Sequence, residues 1–329
     1  MNVGETILDK ARKTRSDSKV AYFHGNESSE GGMFSEMHES ISFGADGSHI
    51  DRRTIGQILI DSRRLNAADA DRVVQLQRQE GLFFGEAAKK LRLVTDEDVQ
   101  YALAKQFDYP YLRVAEGVFS SELITAYKPF CPQSEVLRGI RSLLLQKLAD
   151  HNCKAFTVIS PGEHEGRSYL AANLAVTFSQ MGKRTLLMDG DLRKPRLHSM
   201  FEFPCRVGLS AMLAGRVKKD DLEHLPETVP FFSHLSVLGA GAIPPNPLDL
   251  LAGDRLPRII GELSQHYDII IIDTPAGHAQ ADFQPLSITA GSALLVARKD
   301  YTKISDGKKQ TQVLMAADVH ILGAVLSQF

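Results

Sequence analysis

Residues 155–198, AFTVISPGEHEGRSYLAANLAVTFSQMGKRTLLMDGDLRKPRLH, bring together two loop glycines, a basic residue followed by a hydroxyl, and two aspartates two positions apart. Those types in that order suit the handling of phosphate. Gly162 and Gly166 let backbone N–H groups turn toward an anion, and a helix opening just after them adds the positive end of its dipole. Arg167 supplies a fixed positive charge, and Ser168 a hydroxyl that can reach a magnesium ion bridging phosphates. Asp189 and Asp191 can hold Mg²⁺ or take a proton from an attacking hydroxyl. A third carboxylate, Asp273, follows four isoleucines and precedes Thr274-Pro275.

Such groups work only if the elements beneath them converge. Ala155–Ser160 is an apolar run that predicts a buried strand. Arg167-Ser168 then opens a helix with Leu170, Leu174, Val176 and Phe178 on its apolar side. The run from Thr185 predicts a second strand that delivers Asp189 and Asp191 to its C-terminal end, where open α/β sheets hold ligands. The isoleucine run predicts a strand buried on both faces and ended by Asp273. Further strands are predicted at Leu235–Leu238, Ala293–Ala297 and Ile321–Leu326. Their alternation with helices implies an α/β fold with a mainly parallel sheet and helices on both faces.

The loop approximates the phosphate-loop pattern G-x-x-x-x-G-K-[ST], with two departures. Pro161 occupies the first glycine position, with Gly162 one place late, and Arg167 stands where lysine is expected. Arginine keeps the charge on a bulkier planar fork. For the loop by itself, a plain strand–helix turn is the alternative; the two aspartate-ended strands weigh against it.

Together, the loop, D-x-D-x-R at Asp189, Asp191 and Arg193, and D-x-P at Asp273–Pro275 resemble the motifs of the bacterial tyrosine kinases. Glu135, Arg138 and Arg141 match that family's E-x-x-R-x-x-R helix, and Gly241–Pro247 resembles its G-x-x-P-P-N-P turn. The chain is most similar to the chain-length-determinant tyrosine kinases of exopolysaccharide clusters, of EpsG type, whose loop resembles S-P-G-x-x-x-G-R-S. The resemblance covers roughly residues 130–329, about the size of one domain.

The resemblance implies a P-loop NTPase fold, ATP and Mg²⁺ as cofactors, and phosphoryl transfer to tyrosine that regulates exopolysaccharide synthesis, polymer chain length and export. Carried over residue by residue, it gives Pro161, Gly162, Glu165, Gly166, Arg167, Ser168 and Tyr169 to the nucleotide. Ser168, Asp191 and Asp273 go to the metal. Asp189, Asp191 and Arg193 go to catalysis, with Asp189 or Asp191 orienting or deprotonating the acceptor hydroxyl. Glu135, Arg138 and Arg141 become a homo-oligomer contact, and a membrane chain-length determinant (a polysaccharide co-polymerase) becomes the partner. The family's C-terminal tyrosine cluster has no counterpart in His320–Phe329; the nearest tyrosine is Tyr301, with Tyr169 and Tyr267 in or beside core elements. Two other readings share the fold: a nucleotide-gated scaffold for the membrane protein, and a partition-type positioning ATPase. Against the latter, the loop is not K-G-G-x-G-K-[ST].

Composition sets outer bounds. At about 150 residues per domain, a chain of 329 residues suggests two domains, and 43% hydrophobic content allows a sizeable core. A formal charge of −2 gives no overall basic field to recruit nucleic acid. Cys131, Cys153 and Cys205 form no C-x-x-C pair, and the eleven histidines show no metal-ligand spacing, which fits a reducing cytosol. With no signal peptide and no apolar run of about 18 residues, a cytoplasmic chain recruited to the inner membrane by a partner is expected.

Residues 1–50 are polar, with His24–Gly47 rich in Gly, Ser, Glu and His, and are expected to be largely disordered, with a docking segment as the lesser expectation. Residues 51–113 are predicted as a small helical domain built on a repeat. IGQILIDSRRLNAADADRVVQLQ (55–77) aligns without gaps to FGEAAKKLRLVTDEDVQYALAKQ (84–106). Each copy reads helix, turn, helix, and neither alone could bury its apolar stripe. Asn66 and Thr95 are predicted N-caps, with Asp69 and Asp98 completing variant capping boxes. The repeat resembles the N-terminal domain of type II secretion ATPases, where a duplicated R-L-G…G motif binds cyclic di-GMP in some members. Here Thr54 and Phe83 replace the motif arginines and Arg63 and Arg92 its second glycines, so a protein-interaction module is the expectation and cyclic di-GMP the lesser one. Residues 114–132, with Pro129 and Pro132, are predicted as a linker that packs partly on its neighbours, and 133–329 as the nucleotide-binding domain.

Overall fold

The computed structural model describes residues 20–22, 53–107, 109–110, 112, 117–277 and 281–328. The expectation for residues 1–50 lies outside this set except at one short strand. In chain order the elements are β1 (Val20–Tyr22), α1 (Ile55–Asp61), α2 (Ala67–Glu80), α3 (Phe84–Lys90), α4 (Asp96–Gln106), α5 (Ile124–Tyr127), α6 (Pro132–Asp150), β2 (Ala155–Ile159), α7 (Arg167–Gln180) and β3 (Thr185–Asp189). They continue as α8 (Leu197–Met200), α9 (Leu209–Leu213), β4 (Glu227–Thr228), β5 (Leu235–Leu238), α10 (Pro247–Leu251), α11 (Arg255–His266), β6 (Ile269–Asp273), α12 (Phe283–Ala290), β7 (Ser292–Arg298), α13 (Ile304–Met315) and β8 (His320–Ser327).

The strands form one sheet in the order β1-β8-β7-β2-β6-β3-β5-β4, parallel throughout except for β4 against β5. Alternation along the central strands feeds two cores. Leu187, Ile269 and Ile271 face one layer with Leu144, Leu174 and Phe178 of α6 and α7. Leu186, Met188, Ile270 and Ile272 face the other with Leu209, Leu256, Ile260 and Leu286 of α9, α11 and α12. A strand with period-2 side chains and apolar residues at every position must be covered on both faces, which is the arrangement found. Helix α7 is buried continuously from Leu170 to Gln180, which is why its apolar side is not a narrow stripe.

Three boundaries differ from expectation. β7 and β8 each extend one residue beyond both ends of their apolar runs, because Ser292 pairs with His320 and Arg298 with Ser327. Backbone ladder bonds form there irrespective of side-chain polarity. Second, the linker 114–132 packs on its neighbours as expected but goes further and forms a buried helix. α5 is buried, the Thr125 N–H and Oγ1 donate to Asn173 Oδ1 at 3.1 and 2.9 Å, and the Tyr127 hydroxyl donates to the Phe119 carbonyl at 2.8 Å. Pro129 and Pro132 mark the entry to α6, with Pro132 in its first turn, where a missing N–H costs nothing. Third, β1 and β4 extend the sheet at its two edges without any sequence signal.

The helical repeat has its own core of Ile58, Leu59, Leu65, Val73, Val94 and Ala102. α1 packs on α4 and α2 on α3, so the first helix of each copy lies on the second helix of the other. Thr95 closes a full capping box: its Oγ1 accepts from the Asp98 N–H at 3.2 Å, and Asp98 Oδ2 accepts from the Thr95 N–H at 2.9 Å. At Asn66 the expected box stays open. Asn66 Oδ1 accepts from the Asp69 N–H at 2.7 Å, but its amide donates to Asp69 Oδ2 at 2.8 Å and occupies that carboxylate. Arg63 and Arg92 have φ of 56° and 55°, the left-handed turn that glycine adopts more easily. Among the described residues no helix is long and apolar enough to cross a membrane.

Candidate active site

β2 ends at Ile159, and residues 160–166 turn back to start α7. Gly166 makes the junction with φ of 96°, a conformation that costs a side chain and costs glycine little. The loop is braced from within. Glu165 is buried; its Oε2 accepts from the Gly162 N–H at 2.9 Å and its Oε1 from the Thr302 hydroxyl at 2.5 Å. The Ser327 hydroxyl donates to the Glu165 carbonyl at 3.0 Å, and the Gly277 N–H to the Ser160 carbonyl at 3.0 Å.

Arg167 is also spent on this scaffold. Its Nε donates to the Thr274 carbonyl at 2.8 Å, and its Nη1 to the Gly162 carbonyl at 2.5 Å and to Ser160 Oγ. One guanidinium thus ties the start of the loop to the end of β6. A lysine ammonium, with a single nitrogen, could not span both in the same way.

Register places the carboxylates. β3 and β6 pair Asp189 opposite Asp273, and β2 and β6 pair Val158 with Asp273. Asp189 is fully buried. Its Oδ2 accepts from the Arg196 and Leu197 N–H groups at 3.0 Å each, and its Oδ1 from the Asp191 N–H at 3.3 Å. Burial, reinforced by Asp273, holds the Asp189 carboxyl well above the usual carboxylate range. Asp273 is pushed up to about 6 by burial, against the opposing pull of the Ser168 hydroxyl that bonds it and of the Arg167 charge. Asp273 Oδ1 is buried with no hydrogen-bond partner. Two adjacent acids with an orphaned oxygen and a neighbouring hydroxyl form a hard-oxygen environment that favours a small divalent cation.

Gly190, between the two motif aspartates, lets the backbone approach β6. Its N–H donates to the Asp273 carbonyl at 2.9 Å, and a Cβ there would lie 2.7 Å from that carbonyl and 2.8 Å from Leu286 Cδ1. Asp191 caps the following turn, its Oδ1 accepting from the Arg193 and Lys194 N–H groups at 3.1 and 2.9 Å. The loop, the Asp191 turn and Pro275-Ala276 enclose a cleft of about 160 Å³. Lys194 Nζ joins its two sides by bonding Glu163 Oε1 at 2.7 Å.

Of the residues expected from sequence, Glu165, Gly166, Arg167, Ser168 and Asp191 line this cleft. Asp273 lies behind Ser168, and Asp189 beside Asp273. Pro161 and Gly162 form the base of the loop. Glu165 faces the loop's own backbone and Thr302, so its carboxylate shapes the cradle. Tyr169 is outside the cleft; burial pushes its phenol up to about 12. Arg193 turns away to the buried Asp282, donating through Nε and Nη2 at 2.7 and 3.2 Å. On α6, Glu135 pairs with Arg138, whose Nη1 also reaches Tyr109 Oη at 3.4 Å, while Arg141 Nη1 donates to the Thr177 carbonyl at 2.8 Å. Sequence reasoning missed Lys194, Arg196, Asp282 and Thr302. Lys194 could have been found, since it directly follows the D-x-D-x-R motif. Asp282 and Thr302 meet their partners from distant parts of the chain, with no local spacing to mark them.

No family model matches the chain. Over 208 residues it is 37% identical to the putative tyrosine-protein kinase CapB of Staphylococcus aureus, covering 63% of this chain and 90% of that one. Over 205 residues it is 36% identical to the tyrosine-protein kinase YwqD of Bacillus subtilis, covering 62% and 85%. Among solved structures, the kinase domain of the Escherichia coli tyrosine kinase ETK superposes with a TM-score of 0.59 at 27% identity, covering 63% of this chain and 79% of that one. The chimerical protein CapA2B2 superposes with a TM-score of 0.58 at 31% identity, covering 70% and 98%.

Proposed function

The chain belongs to the bacterial tyrosine-protein kinases, and on that premise we propose that its cleft transfers the γ-phosphoryl group of Mg·ATP to a protein tyrosine. The observation that carries this reading is the buried Asp189–Asp273 pair beside the loop, with one Asp273 oxygen unpartnered. The loop N–H groups and the start of α7 cradle the phosphates. Among the described residues no three His, Cys, Asp or Glu side chains form a metal cage. Ser168, Asp273 and Asp191 would therefore share Mg²⁺ with phosphate oxygens, as that ion prefers. Mg²⁺ held by these residues would supply neutralisation of the phosphate charge.

Asp191, on the cleft wall, accepts the phenolic proton as the tyrosine oxygen bonds phosphorus and the bond to the ADP oxygen breaks. Asp189 acts through position: it receives the Arg196 and Leu197 N–H groups and so fixes the turn that carries Asp191. Arg167 keeps the cradle open by tying the loop to β6. The physiological role follows the same family: regulation of exopolysaccharide synthesis, chain length and export, with a membrane chain-length protein as partner. The homo-oligomer contact runs through Glu135, Arg138 and Arg141.

The test is phosphotyrosine mapping and intact mass after incubation with Mg·ATP, beside Asp191→Asn. The variant is expected to keep ATP affinity, because the loop N–H groups still hold the phosphates, and to lose transfer by 10²-fold or more, on the order of a lost general base. Unchanged phosphorylation would remove Asp191 from the mechanism.

A further inference from the structure

The turn that follows β7 stands out from the rest of the surface. Tyr301 is 57% exposed. The other tyrosines with described side chains are not: Tyr127 is bonded inside the core, Tyr109 bonds Gln180 and Arg138, Tyr169 and Tyr267 are half-buried, and Tyr101 lies against Arg64 and Lys105. The turn is held firmly. Asp300 takes a left-handed φ of 58°, the Tyr301 and Thr302 N–H groups donate to the Arg298 carbonyl at 3.2 and 2.9 Å, and the Arg298 N–H donates to Thr302 Oγ1 at 2.7 Å. It is also joined to the phosphate loop. Thr302 donates to Glu165 at 2.5 Å, and Arg298 Nη1 to the His164 carbonyl at 3.3 Å. The Arg298 guanidinium lies 5.1 Å from the Tyr301 ring centroid.

We propose that Tyr301 is a phosphorylation site of this kinase, modified by a second copy of the chain. The inference rests on the kinase reading above and deepens it by naming an acceptor. An exposed phenol on a fixed turn can enter another molecule's cleft at small entropic cost. Tyr301 is not among the residues lining its own cleft, so the donor is a neighbour. Transfer forms the phosphorus–Oη bond, breaks the bond between the γ-phosphorus and ADP, and leaves the phenolic proton on Asp191 of the donor copy. The new dianion lies beside Arg298, with Lys299 and Lys303 flanking it in sequence, a cluster suited to charge-assisted bonds. Arg298 then faces two acceptors, the phosphate and the His164 carbonyl, so the modification reports to the phosphate loop.

The experiment mixes two full-length chains: Asp273→Asn, inactive but with Tyr301 intact, and Tyr301→Phe, active but without the acceptor. With Mg·ATP, phosphate is expected on Tyr301 of the Asp273→Asn chain, at a rate that rises in proportion to the concentration of the other. Asp191→Asn serves as a second inactive acceptor should Asp273→Asn fold poorly. Tyr301→Phe is expected to phosphorylate a glutamate–tyrosine copolymer at the initial rate of unphosphorylated wild type. Phosphotyrosine elsewhere in the wild-type chain with Tyr301 bare overturns this inference and leaves the kinase reading standing. A rate independent of concentration overturns transfer between copies. Absence of phosphotyrosine from both the chain and the copolymer overturns both readings.

Discussion

Asp273 shows how one residue can be placed at a cost to stability for the sake of a ligand. Burial disfavours the charged form and pushes its carboxyl up to about 6. The unfolded chain returns it to about 3.9. Between those values the folded state binds the proton more tightly, so its contribution to stability falls as pH rises from about 4 to 6 and stays low above that. The full loss is on the order of 3 kcal/mol. Asp273→Asn is therefore expected to raise the melting temperature of the metal-free protein at pH 7.5, with the gain shrinking toward zero near pH 4. On the proposed function, added Mg·ADP is expected to stabilise the wild type by mass action and the variant less. Thermal melts across pH, with and without Mg·ADP, check both arms; an offset that does not vary with pH would remove the buried carboxylate as its cause. Arg167 makes the opposite case, a residue that strengthens its own loop. Arg167→Lys loses the fork that reaches Thr274, Gly162 and Ser160, and is expected to lower stability by about 1–3 kcal/mol while ATP binding persists. An unchanged melting temperature would show that the fork adds nothing to the loop.

At the scale of elements, the helical repeat tests whether a local signal carries a measurable free energy. The Thr95 capping box is complete, whereas the Asn66 box is open. Thr95→Ala is expected to cost about 1 kcal/mol, read as a lower denaturant midpoint for the helices of residues 55–106. A midpoint equal to wild type would mean that packing of α1 on α4 alone sets the end of α4. The same elements show what a sequence reveals. β3 and β6 were legible because an apolar run ending in aspartate is both a strand and a ligand-bearing edge, and β2 and α7 because an apolar run and a helical pattern flank the glycine loop. The repeat was legible because its caps recur at equal spacing. What escaped had long-range causes. α5 was legible only as linker packing partly on its neighbours, because its full burial depends on Asn173 of α7. The ion pair of Arg193 escaped because nothing near it in sequence announces Asp282. The bond from Thr302 to the Glu165 carboxylate escaped for the same reason.

For the whole molecule, the question is how the helical repeat is joined to the nucleotide-binding domain. The joint passes through Tyr109, whose hydroxyl donates to Gln180 Oε1 at 2.9 Å and accepts from Arg138 Nη1 at 3.4 Å. Gln180 in turn donates to the Pro110 and Thr125 carbonyls, each at 3.0 Å. Leu112, fully buried, follows with its N–H on the Ala126 carbonyl at 2.9 Å. The chain leaving α4 is thus pinned to the C-terminal end of α7, whose N-terminal end is the phosphate loop, and to the arginine of α6 proposed for subunit contact. Tyr109→Phe removes both bonds of the phenol and keeps its ring against Phe130. It is expected to cost about 1 kcal/mol at the joint, seen as roughly five-fold faster amide exchange at Leu112 and across α5. Exchange within α1 to α4 should stay at its wild-type rate, because the repeat keeps a core of its own. If the repeat's amides speed up together with Leu112, the two parts unfold as one cooperative unit, and the joint is a continuation of the core with no independence for the repeat to transmit.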